Sequence, residues 1–367
     1  MVDNLLASVI AGFDFPGDLS ECVENKTGHI NRTYHLSFVN PDGEYLLQRI
    51  NTFAFKKPFE VMENVLLVTE HLRCAMNARG LDTSGRVLHV IPARNGAPLV
   101  LDAEGGAWRA YNFISGAHSV NSVDSPEQFR EVGRSFGEFQ NMLADFPIHR
   151  LHDTIPDFHH TIKRMDNFER SLAADVAGRA AEVAPEVAFV RARREAMGEI
   201  IRMIDAKAIP LRVTHNDTKC NNVMVDDRTG KAVCVVDLDT VMAGSVLYDF
   251  GDAIRFGAST AAEDEADLSK VRLDMELFTA FSEGFIAEAA PGLTPLELQS
   301  LPLGALVMTF EVGLRFLTDY LDGDVYFHID YPEHNLVRAR CQFRLLSDME
   351  AHQQDMERVI QRLIAAH

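Results

Sequence analysis

The chain has 367 residues, 47% of them apolar and 24% charged, a balance that fills a substantial core and excludes a disordered polypeptide. Its 35 basic and 54 acidic residues leave a formal charge of −19. Such a surface repels phosphate backbones and anionic lipid, which argues against nucleic acid or membrane as partners.

Length suggests two domains or lobes. The cysteines (Cys22, Cys74, Cys220, Cys234 and Cys341) are scattered, with no C-x-x-C pair or compact Cys/His cluster. Neither a disulfide framework nor a zinc site is indicated. The opening residues carry no basic region and only a short apolar run, unlike a signal peptide. No stretch approaches the roughly 20 apolar residues that span a bilayer. The expected location is a reducing cytoplasm.

In chain order, Thr33–Val39 and Glu44–Ile50 are β-leaning runs joined by Asn40-Pro41-Asp42-Gly43, with Pro and Gly where a β-turn favours them. Phe59–Leu72 repeats Val61, Val65, Val68 and Leu72 at helical spacing. The runs Arg86–Ile91, Pro98–Asp102 and Trp108–Ile114 read as further strands. From Ser115 the pattern turns helical. Asp124-Ser125-Pro126-Glu127 is a helix start, continued by the apolar face of Phe129, Val132, Phe136, Phe139 and Leu143. Phe158–Ala174 and Val187–Asp205 follow as helices. Three short β-like runs, Leu211–His215, Asn222–Val225 and Ala232–Asp237, form a hairpin region inside the helical half, and the chain is helical again after Asp249. The expectation is an α+β fold with a small β-rich lobe over residues 1–114 and a larger helical lobe over 115–367.

The informative stretch is His215-Asn216-Asp217-Thr218-Lys219-Cys220-Asn221-Asn222. It fits the H-x-D-x-x-x-x-N spacing of kinase catalytic loops. Phosphoryl transfer needs an acid to orient a hydroxyl and take its proton, and a carboxamide five residues on to reach a metal ion. Lys219 can stabilise charge on the group in flight. Val233–Asp237 is an apolar run delivering one carboxylate, Asp237, as a second magnesium ligand. Asp239 is a lesser candidate, facing the same side if the strand continues. Asp249, in Tyr248–Asp252, reads as a brace for the loop. An isolated match to this spacing is weak, since His, Asp and Asn are common in turns. The ordered succession of strand, loop, hairpin and acid carries the assignment.

His215–Asn222, Val236–Asp239 and Leu247–Asp252 together resemble the aminoglycoside phosphotransferase and choline kinase superfamily, which implies a bilobal protein-kinase-like fold. Gly28–Asn31, Val213–Asn222, Asp237–Thr240 with Tyr248–Phe256, and Gly313–Tyr326 with Tyr331–Arg338 resemble, more narrowly, the N-acetylhexosamine 1-kinases. That resemblance implies transfer from ATP, with Mg²⁺, to the anomeric hydroxyl of N-acetylglucosamine (GlcNAc) or N-acetylgalactosamine (GalNAc). It implies Asp217 as the base, Asn222 and Asp237 as magnesium ligands, and His29, Arg315 and Tyr326 as sugar-facing positions. The chain is expected to act as a monomer. Gln48 stands where kinases usually offer a phosphate-binding lysine, which leaves Arg49 or Lys219 to supply the cation. Glu63 is not assigned the usual lysine-pairing role. Tyr111–Ile114, with Tyr111 and Phe113, is the expected adenine hinge. The alternatives are a kinase of an amino alcohol or aminoglycoside, whose cation Glu311, Asp319, Asp322 and Asp324 could meet, and a nucleotide-binding module without turnover.

Overall fold

The computed structural model describes residues 4–25 and 31–367, and the chain forms two compact units. The first holds the described residues up to His118, with Asp145–Pro156 and Met224–Ala243. The second holds Ser119–Ala144, Asp157–Val223 and Gly244–His367. The chain therefore passes between units repeatedly rather than once near residue 114. Most of the hairpin expected inside the helical half belongs to the first unit.

The first unit opens with α1 (Asn4–Ala11), β1 (Asp18–Asn25), β2 (Arg32–Val39), β3 (Gly43–Arg49) and α2 (Pro58–Ala78). Short strands β4 (Val90–Ile91) and β5 (Val100–Leu101) precede β6 (Ala107–Asn112). They form an antiparallel sheet in the order β1-β2-β3-β6-β4, with β5 also on β6. Alternation along each strand sorts the side chains onto two faces. Tyr34, Leu36, Phe38, Leu47, Trp108 and Ala110 are buried on one face together with Leu6, Val9 and Ile10 of α1. Thr33, Gln48 and Arg109 are cross-strand partners and share the other face.

Neither α1 nor β1 was expected from the sequence. Helix α1 is short, and β1 has almost no buried side chain, so it carries no apolar alternation. The strands expected over Arg86–Ile91 and Pro98–Asp102 shrink to two residues each, because turns with Gly85 and Gly96 at φ of +68° and +80° lead the backbone out of the ladder.

Strands β7 (Ala117–Ser119), β8 (Arg212–Thr214), β9 (Val223–Asp226), β10 (Ala232–Val235) and β11 (Met242–Gly244) complete the set. The second unit is mainly helical, with α3 (Pro126–Met142), α4 (Thr161–Ala174), α5 (Ala184–Met197) and α6 (Glu199–Asp205). Then come α7 (Val246–Gly257), α8 (Met275–Ala289), α9 (Pro295–Gln299), α10 (Leu301–Leu321), α11 (His334–Ala351) and α12 (Gln353–Ala365). Helix α3 starts where expected: Ser125 Oγ accepts from Gln128 N at 3.2 Å, and Pro126 fills the first position. The helix expected over Val187–Asp205 is two, because α5 is capped at Gly198.

Glycines let helix backbones touch. A Cβ at Gly133 would stand 2.3 Å from Phe281 O, one at Gly284 2.0 Å from Arg130 O, and one at Gly251 2.2 Å from Gly304 O. Helices α3 and α8, and α7 and α10, are therefore in backbone contact at these points. Helix α10 is, by length and mean hydropathy, apolar enough to cross a membrane, contrary to the sequence expectation, yet 83% of that stretch is buried inside the protein. It is the core helix of the second unit.

Candidate active site

The candidate catalytic loop lies wholly in the second unit. Strand β8 ends at Thr214, and the fully buried His215 packs near the rings of Phe136 and Phe139, 5.7 and 6.1 Å away. Asn216 follows with φ of +64°, a left-handed backbone that costs a non-glycine residue energy. What holds it is Asp249, in the first turn of α7 and 1% exposed. Its Oδ1 accepts from Asn216 N at 2.8 Å, and its Oδ2 accepts from His215 N at 2.9 Å and Gln140 Nε2 at 2.7 Å. Its carbonyl accepts from Thr218 Oγ1 at 2.5 Å. Burial pushes the Asp249 carboxyl above its usual range, and these bonds, with nearby His215, only partly offset that. Asp249 is thus the brace expected from the sequence.

Asp217 and Lys219, flagged as the catalytic pair, meet at 3.0 Å between Oδ1 and Nζ. Asn222 Nδ2 donates to Asp217 O at 2.8 Å and to its Oδ2 at 3.2 Å. Burial alone would raise the Asp217 carboxyl. Lys219 first, then His215 and Arg255, hold it below its usual value. Asp217 in turn pushes the Lys219 ammonium well up, against burial. Both groups are charged at neutral pH, and with side chains 24% and 34% exposed they are open to solvent.

The magnesium ligands expected from the sequence are both hard oxygen donors. Asn222 has its amide nitrogen engaged by Asp217, which turns its carbonyl oxygen the other way. Asp237, in the first unit, is exposed just beyond the end of β10 with φ of +58° and ψ of +58°. Among the described residues, no three His, Cys, Asp or Glu gather as a metal cage. Taken singly, each side chain offers the kind of oxygen donor magnesium takes, an ion that uses one or two protein oxygens and completes its shell with water and phosphate.

The strand does not continue to Asp239. A 3-10 turn over Leu238–Thr240 replaces it, so Asp239 is buried instead of facing the same side as Asp237. Arg109 of β6 grips it with both terminal nitrogens, Nη1 to Oδ1 and Nη2 to Oδ2, the latter at 2.9 Å. Asn31 Nδ2 donates to Asp239 Oδ2 at 2.8 Å, and Asn31 Oδ1 accepts from Asn51 N at 2.9 Å. Arg109 Nε donates to Gln48 Oε1 at 3.0 Å, while Gln48 Nε2 donates to Thr33 Oγ1 at 3.1 Å. Burial works against the charge of Arg109, and Asp239 more than restores it.

Arg49 alternates to the opposite sheet face, 3.6 Å from Asp102, 3.7 Å from Glu104 and over the Trp108 ring. It does not join the group at Gln48. Tyr111 is buried beneath the Arg109 guanidinium, and burial holds its phenol far above the usual range. Phe113 is half-buried, 4.5 Å from the His35 ring, and its N–H donates to Glu44 O. Glu63 pairs with His152 at 2.5 Å. His29 lies outside the described residues.

In the second unit the Arg315 guanidinium lies over the rings of Phe158, Tyr326 and Phe327, at 5.3, 5.8 and 5.4 Å. The loop bearing Tyr326 is fastened by Asp319, which accepts from the N–H groups of Val325, Tyr326 and Phe327 at 2.8–3.0 Å. Nearby, His159 faces two acceptors, Glu311 Oε1 at 2.7 Å and Asn216 O at 3.1 Å, and Thr161 Oγ1 donates to Glu311 at 2.6 Å.

Sequence reasoning missed Arg109, Gln140 and His159. Only Arg109 left a trace: a cation in the middle of the apolar, aromatic run Ala107-Trp108-Arg109-Ala110-Tyr111, which demands a buried partner.

A model of the phosphotransferase enzyme family matches residues 21–278. The fold is similar to that of the microcompartment-associated aminopropanol kinase, with TM-score 0.64 and 16% identity over 95% of this chain and 96% of that one. It is similar to an aminoglycoside phosphotransferase from Alicyclobacillus acidocaldarius, with TM-score 0.63 and 11% identity over 100% and 98% of the two chains. A choline kinase from Cryptosporidium parvum matches with TM-score 0.54 and 14% identity over 91% and 90%. At such identities the likeness speaks to the fold, a kinase-like α+β architecture. Because the family match spans well over half of its length, this chain belongs to the phosphotransferase enzyme family.

Proposed function

We propose that this small-molecule kinase uses ATP and magnesium to phosphorylate the anomeric hydroxyl of an N-acetylhexosamine, GlcNAc or GalNAc, giving the sugar 1-phosphate and ADP. The observation that carries the acceptor class is how the second unit spends its charges. A cationic amino alcohol or aminoglycoside needs acids to meet it. Of the four acids weighed for that role, all but Asp322 are engaged within the unit: Glu311 by His159 and Thr161, Asp319 by three backbone N–H groups and Asn335, and Asp324 by Arg179 and Asn335. What the unit offers instead is Arg315 among three rings. Arg164 is close enough that Arg315, after burial, lowers its pKa. Two guanidiniums repel a cationic acceptor, whereas acetamido and hydroxyl oxygens accept from them and a pyranose face packs on aromatic rings.

In this proposal Asp217 accepts a hydrogen bond from the anomeric hydroxyl. It takes the proton as the bond from that oxygen to the γ-phosphorus forms and the bond to the β,γ-bridging oxygen breaks. Lys219, held 3.0 Å from Asp217, carries positive charge beside the group in flight. Asn222 and Asp237 are the proposed magnesium ligands, and the ion neutralises charge on the phosphates when bound. Asp249 and Gln140 hold the loop and touch no substrate.

The test is an ADP-release screen of GlcNAc, GalNAc, choline, ethanolamine and an aminoglycoside, with phosphorus NMR of the product. A hexosamine 1-phosphate signal is the expected outcome. Turnover confined to the amino compounds, or a 6-phosphate product, overturns the proposal.

A further inference from the structure

We propose that Arg109 is the positioning residue of the metal–triphosphate end of the nucleotide site, replacing the lysine that Gln48 displaces. This rests on the kinase reading but not on any choice of acceptor. In kinases of this architecture a strand lysine pairs with a helix glutamate, and that pair must form for the phosphates and metal to be held. Here Gln48 cannot carry charge, and Glu63 of α2 is paired with His152.

The cation has moved one strand across the sheet. Gln48 and Arg109 are register partners on β3 and β6, so their side chains share a face, and the amide oxygen of Gln48 fixes the Arg109 Nε. The carboxylate has moved as well, from α2 to Asp239, two residues beyond the proposed metal ligand Asp237. Arg109 grips both Asp239 oxygens, and that two-pronged bond fixes the plane of the carboxylate and the turn that carries it. Asp237 sits at the entrance to that turn in a left-handed conformation that needs support from its surroundings. Asn31 ties the same carboxylate to Asn51 N, so three segments of the first unit converge on Asp239.

Arg109 is 1% exposed with all three of its nitrogens engaged. It therefore acts through Asp239 on where Asp237 points, and does not itself grasp phosphate.

The experiment titrates the full chain calorimetrically with ATP in excess Mg²⁺ and with ATP in EDTA, without acceptor, beside thermal unfolding. In the wild type, Mg²⁺ is expected to strengthen ATP binding. Arg109→Met strands a buried carboxylate and is expected to lower the melting temperature. Combined with Asp239→Asn it removes both charges, and the melting temperature recovers toward wild type. A merely structural role predicts that this neutral pair also recovers binding. The proposal predicts instead that the strengthening by Mg²⁺ stays reduced by about tenfold or more. It also predicts that Gln48→Lys with Arg109→Met, which returns a cation to β3, regains most of it.

A neutral pair that binds Mg-ATP as the wild type does overturns the proposal. Should that variant not fold, Arg109→Lys keeps the charge and loses the fork, and an undiminished Mg²⁺ effect in it overturns the proposal equally. A wild type that binds no Mg-ATP sinks the kinase reading, and this inference falls with it.

Discussion

Removing the Asp249 carboxylate isolates what the brace contributes. The side chain takes three N–H donors, from His215, Asn216 and Gln140, at 2.7–2.9 Å in a site 1% exposed. Asp249→Ala leaves all three without an acceptor. At about 1–3 kcal/mol for each buried unmet donor, softened by water entering the vacated space, the loss of folding stability is on the order of 3–6 kcal/mol. Asp249→Asn keeps one acceptor oxygen but sets its new N–H₂ group against one of the loop donors, for about 2–4 kcal/mol. Asn216 also loses the bond that keeps it at φ of +64°, so Asp217 next to it loses its fixed direction. Urea unfolding at pH 7 gives the stability term, and kcat against KM for ATP gives the positional one. The expected outcome is a fall of about tenfold or more in kcat for Asp249→Asn with KM for ATP little changed. A loss below about 1 kcal/mol for Asp249→Ala, or wild-type kcat for Asp249→Asn, refutes the brace.

Asp217→Asn should leave nucleotide binding near wild type while turnover falls by about 10²–10⁴; near-normal turnover removes Asp217 from the base role. The same carboxyl sets a pH expectation. Its pKa in the folded protein is depressed, chiefly through Lys219 acting against burial, so it stays ionised as pH falls and supports activity until below its ordinary value of about 3.9. Its contribution to stability is likewise present above the unfolded value and lost as pH falls through the folded one. Lys219→Met should move the acid limb of kcat/KM upward, and an unmoved limb contradicts the pairing. Gly284→Ala tests the helix contact: its Cβ would stand 2.0 Å from Arg130 O, so despite a helix-propensity gain of up to about 1 kcal/mol the net loss should be about 1–3 kcal/mol. A variant as stable as wild type in urea shows that α3 and α8 yield.

The parts of the molecule legible in the sequence are those written in local chemistry. The turn at 40–43 is one, the Ser125-Pro126 helix start another, and the spacing from His215 to Asn222 a third. The α+β division was legible because the chain changes its period of apolar residues. Asp239 was misplaced because its direction rests on where β10 stops, and no residue near Val236 announces the 3-10 turn. Gln48 stands out in the sequence as a departure, but the cation it fixes, Arg109, lies 61 residues away on a partner strand, a matter of sheet register that periodicity does not encode. Gln140 was invisible for a similar reason. It reads as one polar residue among the apolar ones of α3, and its bonds to Asp249 and Val213 O exist only once α3, α7 and β8 are assembled.

The contact of Gly251 with Gly304 has a bearing on how this protein can change over time. Asp249 sits half a turn before Gly251, so the depth at which α7 settles on α10 sets the height of the carboxylate under the loop. Backbone meets backbone at that seat, with Met308 packed beside it. Adding a methyl group at either glycine, the usual way to stiffen a helix, would jack α7 outward and slacken the loop it holds. Selection for heat resistance must find its gains elsewhere, and drift at two buried glycines would surface as lost turnover.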